Sequence, residues 1–160
     1  MTPFDLKTRK EWEEILERFA QEIHMTACIS DDRGSQPICR FDRYPLCAAI
    51  RNNKQATTSI CSQSNSVMLA EVKKTLKPTI YFCEAGLIRL VVPILFESKL
   101  IGQIFACGLS SKKEKADSFL IAKELNISEE KVLALMQSSP FGSEEELLPI
   151  VERLFTELNS

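Results

Sequence analysis

The 160 residues, 44% hydrophobic and 26% charged, have ordinary globular composition and suffice for one domain with its own core. A net charge of −2 gives no electrostatic footprint for nucleic acid or an anionic membrane, and no apolar run approaches the ~20 residues that a bilayer span needs. The opening MTPFDLKTRKEW is polar and soon acidic, unlike a signal peptide, so a cytoplasmic chain with all six cysteines reduced is expected.

Thr8 to Glu11 fits a capping box, and Trp12, Ile15, Leu16, Phe19 and Ile23 follow at helical spacing. This first helix ends at His24, where a cation suits the helix C-terminus, so no functional role is assigned to the one histidine. Its apolar stripe could cover the sheet, but a homodimer through this helix is expected. Met25 to Ser30 reads as a strand, Asp31 to Gly34 as a turn, and Gln36 to Phe41 as the returning strand. Pro45 starts a short helix, PLCAAIRNN, with Cys47 in its first turn.

A longer helix is expected from Thr58, with Cys61 in its first turn. Cys61, Asn65, Met68, Val72 and Leu76 then share one inward face. Lys77-Pro78 stops it, because proline disfavours helix in its predecessor. Thr79 to Cys83 alternates as a strand, with Tyr81 and Cys83 on one face. Cys-Glu-Ala-Gly-Leu turns into the strand Leu87 to Phe96, in which Pro93 signals an edge, bulge or bend. Leu100 to Cys107 pairs with it, and Gly102 suggests a bulge or a close backbone approach.

The last third is helical, with capping boxes at Ser111 to Glu114 and Ser143 to Glu146. Ala122 to Leu135 has the look of a helix-turn-helix. Its second helix, however, opens with Glu129 and Glu130, which phosphates would repel, and Lys131 is the base it offers. The segment is read as an αα-hairpin, and no direct nucleic-acid binding is expected.

No catalytic constellation stands out: His24 has no nucleophile or carboxylate partner in the pattern, and the five glycines form no phosphate loop. No cysteine pair has Cys-x-x-Cys spacing. Cys28, Cys39 and Cys107 lie in apolar strand-like runs and read as small core residues. Cys47, Cys61 and Cys83 remain. The first two are expected to open helices, where the positive helix end favours thiolate, and the third precedes a tight turn. Three such soft ligands converging on a pocket could hold a metal or an iron–sulfur cluster, or could simply pack helix against sheet.

The Leu46-Cys47 helix start, Ser59-Ile60-Cys61-Ser62, Tyr81 to Leu87, and Val92-Pro93-Ile94 followed by Ile101-Gly102 resemble the PocR sensory domain family across nearly the whole chain. These are ligand-binding modules of bacterial regulators of propanediol and cobalamin metabolism. The resemblance implies one domain, residues 1–160, of a PAS-like α+β fold. A five-stranded antiparallel sheet would carry two helices inserted between strands 2 and 3, over one face. It also implies a role in sensing simple hydrocarbon derivatives such as short diols. Cys47, Cys61 and Cys83 match the family's three cysteines, while Glu84 stands where at least one relative has a histidine. With Asn65 and Tyr81, these form the expected ligand-binding set. The expected function is sensing without catalysis, in bacterial signal transduction or transcriptional regulation, either through a separate effector protein or as a stand-alone sensor. The rival reading is a thiol-based metal or iron–sulfur redox sensor at Cys47, Cys61 and Cys83.

Overall fold

Alternating apolar residues and tight turns build one sheet with helices against both faces. The computed structural model describes residues 1–35, 38–40, 45–112, 116–138 and 140–160. Strands β1 (Thr26–Asp31), β2 (Ile38–Arg40), β3 (Thr79–Phe82), β4 (Ile88–Phe96) and β5 (Lys99–Ser111) form an antiparallel sheet in the order β2-β1-β5-β4-β3. The two-residue β6 (Phe141–Gly142), which the sequence did not suggest, pairs with β5 in parallel. Helices are α1 (Pro3–Leu6), α2 (Arg9–Ile23), α3 (Pro45–Arg51), α4 (Lys54–Ala56), a π-helical turn (Thr57–Ser62), α5 (Gln63–Thr75), α6 (Ser118–Leu125), α7 (Glu129–Gln137) and α8 (Glu144–Asn159). No described helix is long and apolar enough to cross a membrane.

Strand β4 shows why its sequence lacks a polar face. Ile88, Leu90, Val92 and Ile94 join Trp12, Leu16, Phe19, Leu147 and Val151 in the core under α2 and α8. Val91 packs with Met68 and Val72 of α5 on the opposite side. A strand buried on both faces has nowhere to alternate. The expected stripe on the first helix is thereby used within the molecule. Trp12 is 1% exposed, and its Nε1 donates to Pro3 O at 2.9 Å. This removes the stripe as a ground for a homodimer through that helix.

The capping box at Thr8 is present: Glu11 N donates to Thr8 Oγ1, and Thr8 N donates to Glu11 Oε2. Gly34 takes φ +77° in the β1–β2 turn, its N–H donating to Asp31 O. Residues 36, 37 and 41 of the expected second strand lie outside the described residues. Gly102 sits where a side chain would strike Pro3, and an added Cβ would come within 2.5 Å of Ser30 O. The close approach expected there is real, and the β4–β5 register also slips beside it, between Ile94 and Leu95. Pro93 lies opposite Gln103, beyond the part of β4 that β3 covers. There the Asn159 side chain donates to Pro93 O at 3.0 Å and accepts from Leu95 N at 2.7 Å.

Three local expectations are corrected. Ser111 belongs to β5 and Glu114 lies outside the described residues, so the capping box drawn there is replaced by Asp117, whose carboxylate accepts from Leu120 N. The box at Ser143 is partly kept, since Ser143 Oγ accepts from Glu146 N at 3.3 Å. The six cysteines are not all reduced: Cys28 and Cys39 face each other across β1 and β2 and form a disulfide with Cα atoms 4.0 Å apart. Two strand residues directly opposite are close enough to be bridged without moving the backbone. The Ala122 to Leu135 segment is the expected hairpin, α6 against α7, and it leans on α3 and α4.

Candidate functional site

The longer helix starts earlier than its polar run suggested. Asn53 is the cap, its Oδ1 accepting from Ala56 N at 3.0 Å, so Cys61 lies well past the first turn. Thr57, Thr58 and Ser59 then donate to carbonyls of Ile50, Lys54 and Gln55. Hydroxyls that bond back in this way compete with the helix ladder and bend it. The chain passes here through the π-helical turn, which carries one surplus residue. That surplus rotates the remainder of the helix. The buried face of the helix is Ile60, Ser64, Met68 and Val72, while Asn65 is exposed and Leu76 half-buried. Cys61 is half-buried beside this face.

On the sheet, a bulge does the equivalent work. Arg89 pairs with Cys107, but Ile88 pairs with Leu109, so Gly108 is the extra residue. Its φ of +105° suits glycine, and a Cβ there would come within 2.7 Å of Cys47 Sγ. The bulge turns Leu109 into the α2 core and leaves Arg89 and Cys107 together on the α3 side. The Cys83 turn is closed by Gly86 N donating to Cys83 O at 2.9 Å, with Gly86 at φ +79°. Ser64, 3% exposed, holds this turn to the helix: its Oγ accepts from Glu84 N at 3.1 Å and donates to Ile60 O.

These elements enclose a cavity of about 20 Å³, lined by Cys47, Ile50, Arg51, Ile60, Cys61, Cys83, Leu87, Arg89, Cys107 and Gly108. That is room for one water. The three cysteines expected to converge do so, and Cys107, read from sequence as a core residue, is the fourth. Its Sγ accepts from Arg51 Nη2 at 3.1 Å. Burial, above all, pushes the thiols of Cys47, Cys61 and Cys83 above their ordinary range, with neighbouring thiols adding to it. The thiolates expected from helix ends are therefore disfavoured: Cys61 is not at a helix end, and desolvation outweighs any dipole at Cys47. Among the described residues, no group of three His, Cys, Asp or Glu side chains is placed to hold a metal ion. The metal and iron–sulfur reading loses its geometric support.

The other expected residues stand apart. Glu84 is exposed and lines no part of the cavity. Tyr81 packs near Met68 and Val72, its hydroxyl donating to Ser64 O at 3.3 Å. Asn65 accepts from Arg89 Nη2 and lines a neighbouring cavity of about 140 Å³ with Arg33, Met68, Gln103 and Phe105.

Arg89 is the residue that the sequence reading missed. It is 2% exposed; Nη1 donates to Cys61 O at 3.4 Å, Nη2 to Asn65, and Nε has no partner among the described residues. Burial works against its charge, but a guanidinium keeps its proton even when desolvated, so Arg89 stays charged among neutral thiols. A signal for it existed: an arginine interrupts the otherwise apolar run Leu87 to Phe96.

Two comparisons bear on this arrangement. The model of a family described as the sensory domain found in PocR matches residues 5–160. The chain is 29% identical over 94 residues to the regulatory protein PocR of Salmonella typhimurium, a match covering 59% of this chain and 30% of that protein. No solved structure matches the chain. The family match runs over nearly the whole described fold, and the chain belongs to the family of PocR sensory domains.

Proposed function

We propose that this domain senses a small molecule, a simple hydrocarbon derivative such as a short diol, in the cavity bounded by α3, the π-helical turn and the β4–β5 bulge. The observation that carries the reading is the buried, partly apolar cavity with an unpartnered donor, Arg89 Nε, in its wall. Apolar walls with a few aimed polar groups are how small ligands are held. The strand order β2-β1-β5-β4-β3, with helices between β2 and β3, supports a PAS-like arrangement for the sensor. A cavity of one water's volume does not hold a diol, so ligand entry displaces α3 or the π turn. That displacement is the population shift which an effector reads. The Salmonella relative is a regulatory protein by name, which supports a regulatory output here.

Thermal melts and calorimetry with propane-1,2-diol and related alcohols test this. Binding should raise the melting temperature, and Cys61→Ser and Cys83→Ser should each weaken binding more than the double variant Cys28→Ser/Cys39→Ser. The absence of heat and of any shift with every small oxygenated compound in the series refutes the reading. Normal binding by both site variants reduces the thiols to packing.

A further inference from the structure

We infer that the ligand carries an oxyanion, a carboxylate on a short hydrocarbon chain, seated on Arg89. The inference rests on the sensing reading above and names the class of compound sensed. Arg89 is charged and 2% exposed, yet its partners are one carbonyl, Cys61 O, and one neutral amide, Asn65. Among the described residues no carboxylate pairs with it and nothing accepts from its Nε–H. Among the described residues the cavity offers no counter-ion, since its lining there consists of thiols, apolar side chains, glycine and a second arginine, Arg51.

Leaving a buried charge uncompensated is costly, and breaking such a pair elsewhere destabilises strongly. A hydroxyl would satisfy the Nε–H but not the charge. A carboxylate does both, since its paired oxygens match the flat guanidinium. Ile50, Ile60 and Leu87 then face the hydrocarbon part, and a short chain is what so confined a space admits once α3 yields.

Lactate and propane-1,2-diol share a carbon skeleton and differ at one end, carboxylate against hydroxymethyl, and propionate and propan-1-ol repeat the comparison. Titration of the full chain with these four probes at pH 7 and constant ionic strength should show each carboxylate binding roughly tenfold to a hundredfold tighter than its alcohol. The Arg89 Nε–H resonance should shift with the carboxylates. Arg89→Gln should erase the preference, and Arg89→Lys should keep part of it. Where Arg89→Gln does not fold, the Nε–H resonance of the wild-type chain decides. Equal or tighter binding of the alcohols overturns the inference and leaves the sensing reading intact. Carboxylate binding that survives Arg89→Gln, or that leaves the Nε–H resonance unmoved, also overturns it. Binding of none of the four overturns the inference, and the sensing reading then stands or falls on the wider series of small oxygenated compounds.

Discussion

Gly108 decides the shape of the cavity. It supplies the surplus residue of the β4–β5 bulge at φ +105°, and its missing side chain makes room for Cys47. Gly108→Ala should cost about 1–3 kcal/mol of stability from the backbone conformation alone. The thiol 2.7 Å from the new Cβ should add a steric cost to this, which adding Cys47→Ala should relieve. Urea melts of the single and double variants measure it, and equal loss in both would mean that no steric conflict exists. Raised thiols also make stability depend on pH in a fixed direction. Cys47, Cys61 and Cys83 hold their protons in the folded state above the ordinary thiol value of 9.0, so the folded chain binds more protons than the unfolded one. Stability is full below about pH 9 and falls as pH rises through the folded values, by up to about 1.4 kcal/mol per pH unit for each thiol. Urea midpoints at pH 8 and 10 should drop accordingly, and less in the triple alanine variant; a flat profile contradicts the burial argument. Cys47, Cys61 and Cys83 were legible from the sequence as a set. Cys107 and Arg89 were not, because the pairing that joins them depends on a bulge that Gly108, one of two glycines in thirteen strand residues, does not announce.

The helix from Lys54 to Thr75 shows how one residue of register changes a site. A regular helix places Cys61, Asn65, Met68, Val72 and Leu76 on the inner face. The π turn keeps Met68 and Val72 there, and substitutes Ile60 and Ser64. Periodicity sees 3.6 residues per turn and cannot register a single wide turn. A helix start at Thr58 is expected from the sequence because hydroxyls at caps and hydroxyls bonding back along a helix look alike there. The two starting points make different predictions. Asn53→Ala should lower stability by about 1 kcal/mol, since it strips the acceptor from Ala56 N. A helix starting at Thr58 would leave that substitution silent, and denaturant midpoints of Asn53→Ala and Thr58→Ala discriminate. Strands fared better, because β3, β4 and the Gly86 turn follow alternation and turn chemistry directly.

At the scale of the molecule, the sheet has two different sides. The α2 and α8 side is continuous apolar packing, with Arg18–Glu157 and Arg153–Glu22 pairs across its surface. The α3 to α7 side holds the smaller cluster that borders the cavity. The order of elements, together with the family resemblance, carried the α+β architecture. The allocation of α2 and α8 to the face opposite the site was not readable, since an apolar stripe does not name its partner. The disulfide fastens the β1–β2 end of the sheet across 11 residues of sequence. Alkylation of the unfolded, unreduced chain should label four cysteines, rising to six after reduction, and reduction should cost roughly 3 kcal/mol through the loop freed in the unfolded state. Six labels without reductant would show that the bridge does not form.

Asn159 has a consequence for behaviour in concentrated solution. Where β3 stops, β4 would present a bare carbonyl and amide at Pro93 and Leu95, the template on which a strand from another copy can add. The carboxamide at the end of α8 is itself peptide-like, and it occupies that rung with one donor and one acceptor. The proline beside it cannot donate to a newcomer in any case. The chain thus protects its own sheet edge with a single side chain. Asn159→Ala should keep its fold yet form oligomers on standing, visible as growing light scattering, while the parent chain under the same conditions stays clear.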